Sequence, residues 1–392
     1  MIYSIFKVLA KLTVHGYFRK ISIEGKEHIP ASGPYLFVAN HPSAFMDPIV
    51  IATAIQPSVH FIAAGEYVGK GIKGWFFQRV FHMIPVYRPS TRPGETHKNK
   101  NMFEKCYEHI SNKGALLIFP EGVSLTELKL KPLKTGAVRI AIGAEEANNY
   151  NLNVPIIPIG LNYSDPHSFR SDLYIKIAPP LYPGQELSTL EKEDKTEQIN
   201  ATKRLTAKLE ITMQSLILHL GSKDEELMLQ KLNKIYSRDI KTSFDIAFDD
   251  QKREFELQKD FEKAINYFKY NKPELYYGTE DKIDKYLQEL DELEITDKDV
   301  AEFRSRYSSR RVFSFILGAP YFLTGLLSNY IPYRLTGLIN NRIKIDDTFT
   351  GSMALAIGMI LFLLWYTGIT IGIWLLGASW FALFFPIIAY IS

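Results

Sequence analysis

Residues 353 to 391 form a run of 39 positions without one Lys, Arg, Asp, Glu, Asn, Gln or His. No feature of the chain limits its fold more. A helix crossing a bilayer uses about 20 apolar residues, so the run has the length of two spanning helices. A tight turn near 367–372 or 377–379 would join them. A helix buried in a protein core is the competing explanation, and it is the less favoured one.

The rest of the 392-residue chain reads differently. At 46% hydrophobic and 23% charged residues it is globular in composition, with a split at about 182, after which Lys, Glu, Asp and Gln dominate to 311. A net charge of +3 and no basic stripe with interleaved aromatics argue against a nucleic-acid partner. Cys106 is the only cysteine, which excludes an internal disulfide and a cysteine-ligated zinc. A catalytic face in the reducing cytoplasm is therefore the simpler expectation. At the N-terminus, Lys7 and Lys11 interrupt the apolar stretch and no cleavage pattern follows, so 1–20 does not read as a signal peptide. Ile2, Ile5, Phe6, Leu9 and Leu12 recur at helical spacing, with Lys7, Lys11, Arg19 and Lys20 available for headgroups. This predicts an amphipathic membrane-surface helix, the alternative being a helix packed on the domain.

From 21 to 187 short apolar runs alternate with helical stretches, the pattern of an α/β layer structure. Strands are expected at 34–39, 58–63, 83–88, 115–119, 154–161 and 172–178, and helices near 43–55, 70–81, 98–112 and 135–148. Residues 188–311 read as a charged helical region whose acid and base runs are solvated helix faces. A third apolar stretch, 312–332, contains Pro320 and Gly325. Were it to span, Arg334, Arg342 and Lys344 would fall on the side opposite the catalytic domain, against the tendency of short basic loops to stay cytoplasmic. It is expected to be re-entrant or interfacial, followed by a transmembrane hairpin over 353–391.

Chemistry concentrates where strand-like runs end. Asn40-His41-Pro42-Ser43-Ala44-Phe45-Met46-Asp47 follows the run 35–39. Pro42 suits a first helical position, which places Asp47 in the second turn with its side chain leaning back towards His41. A carboxylate there fixes the imidazole tautomer and stabilises the imidazolium, leaving the other nitrogen to take a proton from an alcohol. Free N–H groups at the helix start would serve an oxyanion. No Gly-x-Ser-x-Gly elbow is present and Cys106 falls in an amphipathic helix, so base-activated direct attack is favoured over a covalent nucleophile, with Ser43 the weaker possibility. In Phe119-Pro120-Glu121-Gly122 a carboxylate beside a glycine turn can hold a substrate hydroxyl or position backbone amides. Arg88 after Ile84-Pro85-Val86-Tyr87, and Lys134 before Thr135-Gly136, are candidate phosphate cations or ordinary surface charge. Val154-Pro155-Ile156-Ile157-Pro158-Ile159-Gly160 is core wall or acyl-chain wall, its prolines suggesting an edge or irregular strand. His60 and His82 lack acidic neighbours and read as structural, and no spacing makes a metal site.

Taken in order, the blocks 40–47, 84–88, 119–122 and 154–158 resemble the four motif blocks of the glycerolipid acyltransferases, which include the glycerol-3-phosphate and 1-acylglycerol-3-phosphate O-acyltransferases. The resemblance covers about 20 to 180. It implies an α/β acyltransferase domain with a mixed sheet flanked by helices. It also implies His41 as general base, Asp47 as its partner, and Arg88, Glu121, Gly122 and, more weakly, Lys134 as binders of the glycerol phosphate. No cofactor is implied; the donor is acyl-CoA or an acylated carrier protein. The acceptor is glycerol 3-phosphate or lysophosphatidate at a membrane lipid surface. Two departures stand out. Five residues separate His41 from Asp47 where the family usually has four, and Val123-Ser124 follows Gly122 where Thr-Arg is usual, so that Lys129, Lys131 or Lys134 would replace the missing cation. Both departures point to a glycerol-3-phosphate acyltransferase branch. The expectation is an integral membrane acyltransferase of phospholipid biosynthesis with its catalytic domain on the cytoplasmic face. The alternatives are a coenzyme-A-independent phospholipid transacylase and a non-catalytic lipid-binding membrane protein.

Overall fold

The computed structural model describes residues 2–69, 71–87, 93–187, 195–243, 246–247, 250–302, 309–344 and 346–391. Two compact units divide the chain, Met1–Gly221 and Ser222–Ser392. The first runs α1 (Ile2–Tyr17), β1 (Lys20–Glu24), β2 (Tyr35–Ala39), α2 (Met46–Ala54), β3 (Val59–Ala64), α3 (Gly65–Val68), α4 (Gly71–Arg79), β4 (Met83–Val86), α5 (Asn99–Ser111), β5 (Ala115–Ile118), α6 (Gly136–Ala147), β6 (Ile156–Tyr163), β7 (Asp172–Ile177), α7 (Pro183–Leu187) and α8 (Lys195–Leu216).

The strands make one mixed sheet in the order β1-β7-β6-β2-β5-β3-β4. The pair β6–β7 is antiparallel and every other pair is parallel. The continuous apolar runs of β2 and β5 follow from burial on both faces. Above the sheet a core joins Met102, Cys106 and Ile110 of α5, Ala137, Ile140, Ala141 and Ala144 of α6, and a stripe on α8. That stripe, Ala201, Leu205, Leu209 and Met213, repeats every fourth residue, so α8 lays one helical face on the domain.

Four expectations need correction. The first unit continues to Gly221, past the boundary at 187 that composition suggests: the apolar stripe of α8 outweighs its charged outer face. Helix α2 starts at Met46, not 43. The Ser43 N–H is taken by the Asp47 carboxylate at 2.8 Å and Ala44 sits at φ +35, so the residues after Pro42 form a bent turn. The block 154–160 is neither an edge nor a strand end but the start of the central strand β6. Pro158 is tolerated because it falls where the β7 ladder begins: Ala178 N–H donates to its carbonyl at 3.0 Å, and only the reverse bond is lost. Strand β1, which pairs with β7, was not foreseen.

Helix α1 packs one face on the domain, the alternative its sequence offered. Val14 and Tyr17 are buried, and Lys7 is not free for headgroups: its ammonium caps the end of α2 through the carbonyls of Ile55 and Gln56 (3.0 Å each) and Pro57 (3.3 Å). Arg19 pairs with Asp172. Ile5, Val8 and Leu12 remain exposed on the other face beside Lys11. Phe6 touches Phe76 of α4 edge-on, and α4 adds exposed Ile72 and Trp75 to the apolar surface.

The second unit contains α9 (Lys223–Ser243), α10 (Gln251–Asn271), α11 (Pro273–Glu292), α12 (Asp297–Glu302), α13 (Ser309–Arg342), α14 (Asp347–Leu375) and α15 (Ser379–Ile391). Buried Glu225 of α9 accepts from Lys269 (2.7 Å) and Tyr270 (3.2 Å) of α10, and Lys231 bridges to Glu280 and Asp284 of α11. The stretch 312–332 lies inside one continuous helix, α13, which carries Pro320 and Pro332 without ending at either. Helix α14 is long and apolar enough to cross a membrane, and with 6% of its most apolar window buried it is no core helix. The apolar run turns at 376–378, the second of the two places expected. Polar bonds pin the three helices: Trp365 to the Ser328 carbonyl and Tyr366 to Asn329 (2.8 Å each), and Asn329 to the Ala389 carbonyl (3.0 Å).

Candidate active site

The sheet order decides what meets. Strand β2 lies between β5 and β6, parallel to both, so the carboxyl ends of all three open at one edge. Asn40, the residue after β2, staples that edge. Its amide donates to the Leu161 carbonyl (3.1 Å) and accepts from the Leu161 N–H (2.7 Å), fixing the end of β6 beside the histidine loop.

His41 Nδ1 lies 2.8 Å from Asp47 Oδ2. The carboxylate is wholly buried while the imidazole retains 19% exposure, enough to meet a substrate. Two more donors converge on Asp47, the Ser43 N–H on Oδ2 and the Tyr163 hydroxyl on Oδ1, each at 2.8 Å. A carboxylate with three donors is an acceptor throughout, so Nδ1 carries the proton and Nε2 is the basic nitrogen. Phe119 stacks on the ring, centroids 4.0 Å apart and planes 14° from parallel, which fixes its tilt. Burial, then the adjacent Asp47 charge, holds the Tyr163 phenol well above its ordinary range, so it stays a donor.

Glu121 takes the second of the roles its position allowed. Oε1 accepts the His41 N–H (2.9 Å) and Oε2 the Lys131 N–H (3.0 Å), tying the histidine loop to the lysine-bearing loop. Burial pushes its carboxyl up, and the two amides pull it back. Gly122 sits at φ +73, and a Cβ there would lie 2.4 Å from Lys134 Nζ, so the glycine lets the ammonium lie against the turn. Lys129 is occupied with the Gly221 carbonyl (2.8 Å). The lysine loop is braced by residues that composition alone would leave in solvent: Glu210 of α8 accepts the Leu133 N–H and His219 the Leu130 N–H, each at 3.0 Å. Arg88 lies outside the described residues.

Two further expectations change. Three amides at the helix start are not free for an oxyanion: Ser43 N–H goes to Asp47, Ala44 N–H to Ser124 Oγ (2.8 Å) and Met46 N–H to the Ser43 carbonyl (2.8 Å). Ser43 is wholly buried, so it does not present a nucleophile. Ser124, in sequence a departure, anchors the loop that contains the extra residue between His41 and Asp47. Tyr163 carried no signal in sequence, since nothing there marks a tyrosine just past the last block as a partner of Asp47. Among the described residues no cluster of three or more His, Cys, Asp or Glu suits a metal.

Residues 20–162, which contain all four blocks, match the model of the family described as Acyltransferase. Over these residues the chain is similar to the acyltransferases. Among curated proteins, it is 22% identical over 325 residues to glycerol-3-phosphate O-acyltransferase 1 of Saccharomyces cerevisiae, covering 62% of this chain and 43% of that one. It is 27% identical over 158 residues to a chloroplastic 1-acyl-sn-glycerol-3-phosphate acyltransferase of Brassica napus, covering 40% and 41%. Among solved structures, PlsC of Thermotoga maritima, a 1-acyl-sn-glycerophosphate acyltransferase, is similar at 20% identity and a TM-score of 0.35, over 53% of this chain and 79% of that one. The chain spans less than half the length of those two curated relatives.

Proposed function

We propose that the acyltransferase domain moves a fatty acyl group from an acyl thioester to a hydroxyl of glycerol 3-phosphate or 1-acylglycerol 3-phosphate, with His41 as general base. The observation that carries this is the bond from His41 Nδ1 to a wholly buried Asp47 at the carboxyl edge of the sheet. His41 Nε2 takes the proton of the acceptor hydroxyl as its oxygen attacks the thioester carbonyl. The tetrahedral adduct then collapses, the carbon–sulfur bond breaks, and the thiolate leaves with the proton returned by the imidazolium. Such base assistance supplies roughly 10²- to 10⁴-fold in rate. Asp47 stabilises the transient imidazolium and keeps Nδ1 protonated.

Lys134 against Gly122 is the cation on hand for the acceptor phosphate, and Arg88 is the second on the strength of the motif resemblance. Coenzyme A or a carrier protein bears the acyl group. Membrane attachment is supported by α14 and by the apolar surface of α1 and α4; we place the catalytic unit on the cytoplasmic side, in keeping with the single buried cysteine. The test offers labelled acyl-coenzyme A to purified wild type and His41→Ala in detergent micelles, with each acceptor in separate tubes. Product in one tube, lost in the variant, is the expected outcome. Turnover undiminished in His41→Ala removes the proposal.

A further inference from the structure

Tyr163 lies one residue beyond the stretch matched by the family, at the last position of β6, 116 residues from the aspartate it touches. We propose that Tyr163 is a positioning residue for the acyl transfer, its hydroxyl fixing the orientation of the Asp47 carboxylate so that the opposite oxygen faces His41. This rests on the general-base role given to His41 above.

A carboxylate on a side chain with two free torsions can present either oxygen to a neighbour, or twist so that neither is in line. Here each oxygen has its own donor besides the histidine: Ser43 N–H holds Oδ2 from the loop side, and the Tyr163 hydroxyl holds Oδ1 from the sheet side. With both in place the carboxylate plane is set and Oδ2 is held 2.8 Å from Nδ1. The phenol has its own support. Phe18, 1% exposed, leans on the Tyr163 ring with centroids 5.7 Å apart, and Tyr17 packs against Phe18 at 5.0 Å. Asn40 binds the backbone of Leu161 two residues before. The tyrosine is thus placed by three elements, β6, the end of α1 and the exit of β2. Its hydroxyl bonds Asp47, so it acts on the histidine through that carboxylate.

Tyr163→Phe removes one oxygen and keeps the ring against Phe18. With wild type and His41→Ala assayed alongside, loss of turnover in His41→Ala establishes the general-base reading independently. Against that baseline Tyr163→Phe is expected to lower kcat roughly 10- to 100-fold, the scale of a misplaced catalytic group, with KM for both substrates within twofold. In an Asp47→Asn background the same substitution is expected to cost less than threefold, because the charge whose orientation the hydroxyl sets is gone. Phe18→Leu, which loosens the ring's seat, is expected to lower kcat by less, again with KM within twofold. Wild-type kcat in Tyr163→Phe would overturn the proposal, as would a loss carried by KM or an equal loss with and without Asp47. A Tyr163→Phe protein that fails to fold leaves Phe18→Leu to decide, with an unchanged kcat counting against.

Discussion

Asp47→Asn isolates charge from geometry at the proposed dyad. Asparagine keeps the shape of aspartate but offers one acceptor oxygen and one NH2 group, whereas Asp47 receives three donors. Two orientations compete. With the oxygen towards His41 and Ser43, two of the three bonds survive, and the Tyr163 hydroxyl rotates to accept from the new NH2. With the amide flipped, the NH2 faces the Ser43 N–H and forces the wrong histidine tautomer. The first orientation wins on hydrogen bonds, so the fold and the ring placement persist and the loss is mainly electrostatic. For charge centres about 4 Å apart, an effective dielectric near 20 gives roughly 4 kcal/mol of imidazolium stabilisation, or about a thousandfold in rate. The assay follows thiol release from acyl-coenzyme A under saturating acceptor. The expected result is kcat down about 10³-fold, KM for either substrate within a few fold, and an unchanged melting temperature. A variant retaining more than a tenth of wild-type kcat would show that Asp47 is not the charge the histidine depends on.

The acceptor side is tested by Gly122→Ala, which is strained at φ +73 and thrusts a methyl at Lys134 Nζ; KM for the phosphate-bearing acceptor is expected to rise at least tenfold while KM for the thioester stays put. Acid stability is tested at the opposite edge of the sheet, where His60 lies between His82 and His109 at centroid distances of 4.5 and 3.8 Å, with Tyr3 stacked on His82. Burial, helped by like charge from His109 and His82, lowers His60 to about 3, and burial also lowers its two neighbours. A histidine lowered in the folded state binds fewer protons than the unfolded chain, whose value is about 6.5. Its stabilising contribution is therefore complete above pH ~6.5 and is lost as pH falls towards 3. Melting temperature from pH 7 to 4 is expected to fall more steeply for wild type than for His60→Leu, and parallel curves would refute the assignment.

Much of the sheet was legible because its central strands are apolar on both faces and short runs bounded by turns leave little choice. β2 was expected at 34–39 and spans Tyr35–Ala39; β5 was expected at 115–119 and spans Ala115–Ile118. The helix after His41 was misplaced by three residues, since proline at 42 favours a helical start and only the capture of Ser43 N–H by Asp47 overrides it. Helix α8 was assigned to the charged region because every fourth apolar residue is a thin signal among so many Lys and Glu side chains, although that stripe binds it to the core. The prolines of 154–160 pointed to an edge, and the ladder's starting point made a centre possible.

The chemistry of the candidate site was largely present in local sequence. His41, Asp47, Glu121 and Gly122 stand in short blocks, each at a turn whose residue types narrow what the backbone does. The apolar tail was equally plain as 39 residues without a strong polar group, and α14 within it is long and apolar enough to cross a membrane. What local sequence could not hold is who stands next to whom. Strand order put β6 beside β2, and that alone brought Tyr163 to Asp47 and Leu161 to Asn40. Packing of α8 put Glu210 and His219 under the lysine loop. Spacing and hydrophobic period act over a few residues and are written in the chain itself, whereas a hydrogen bond across 116 residues exists only once loop closure and burial have chosen one topology.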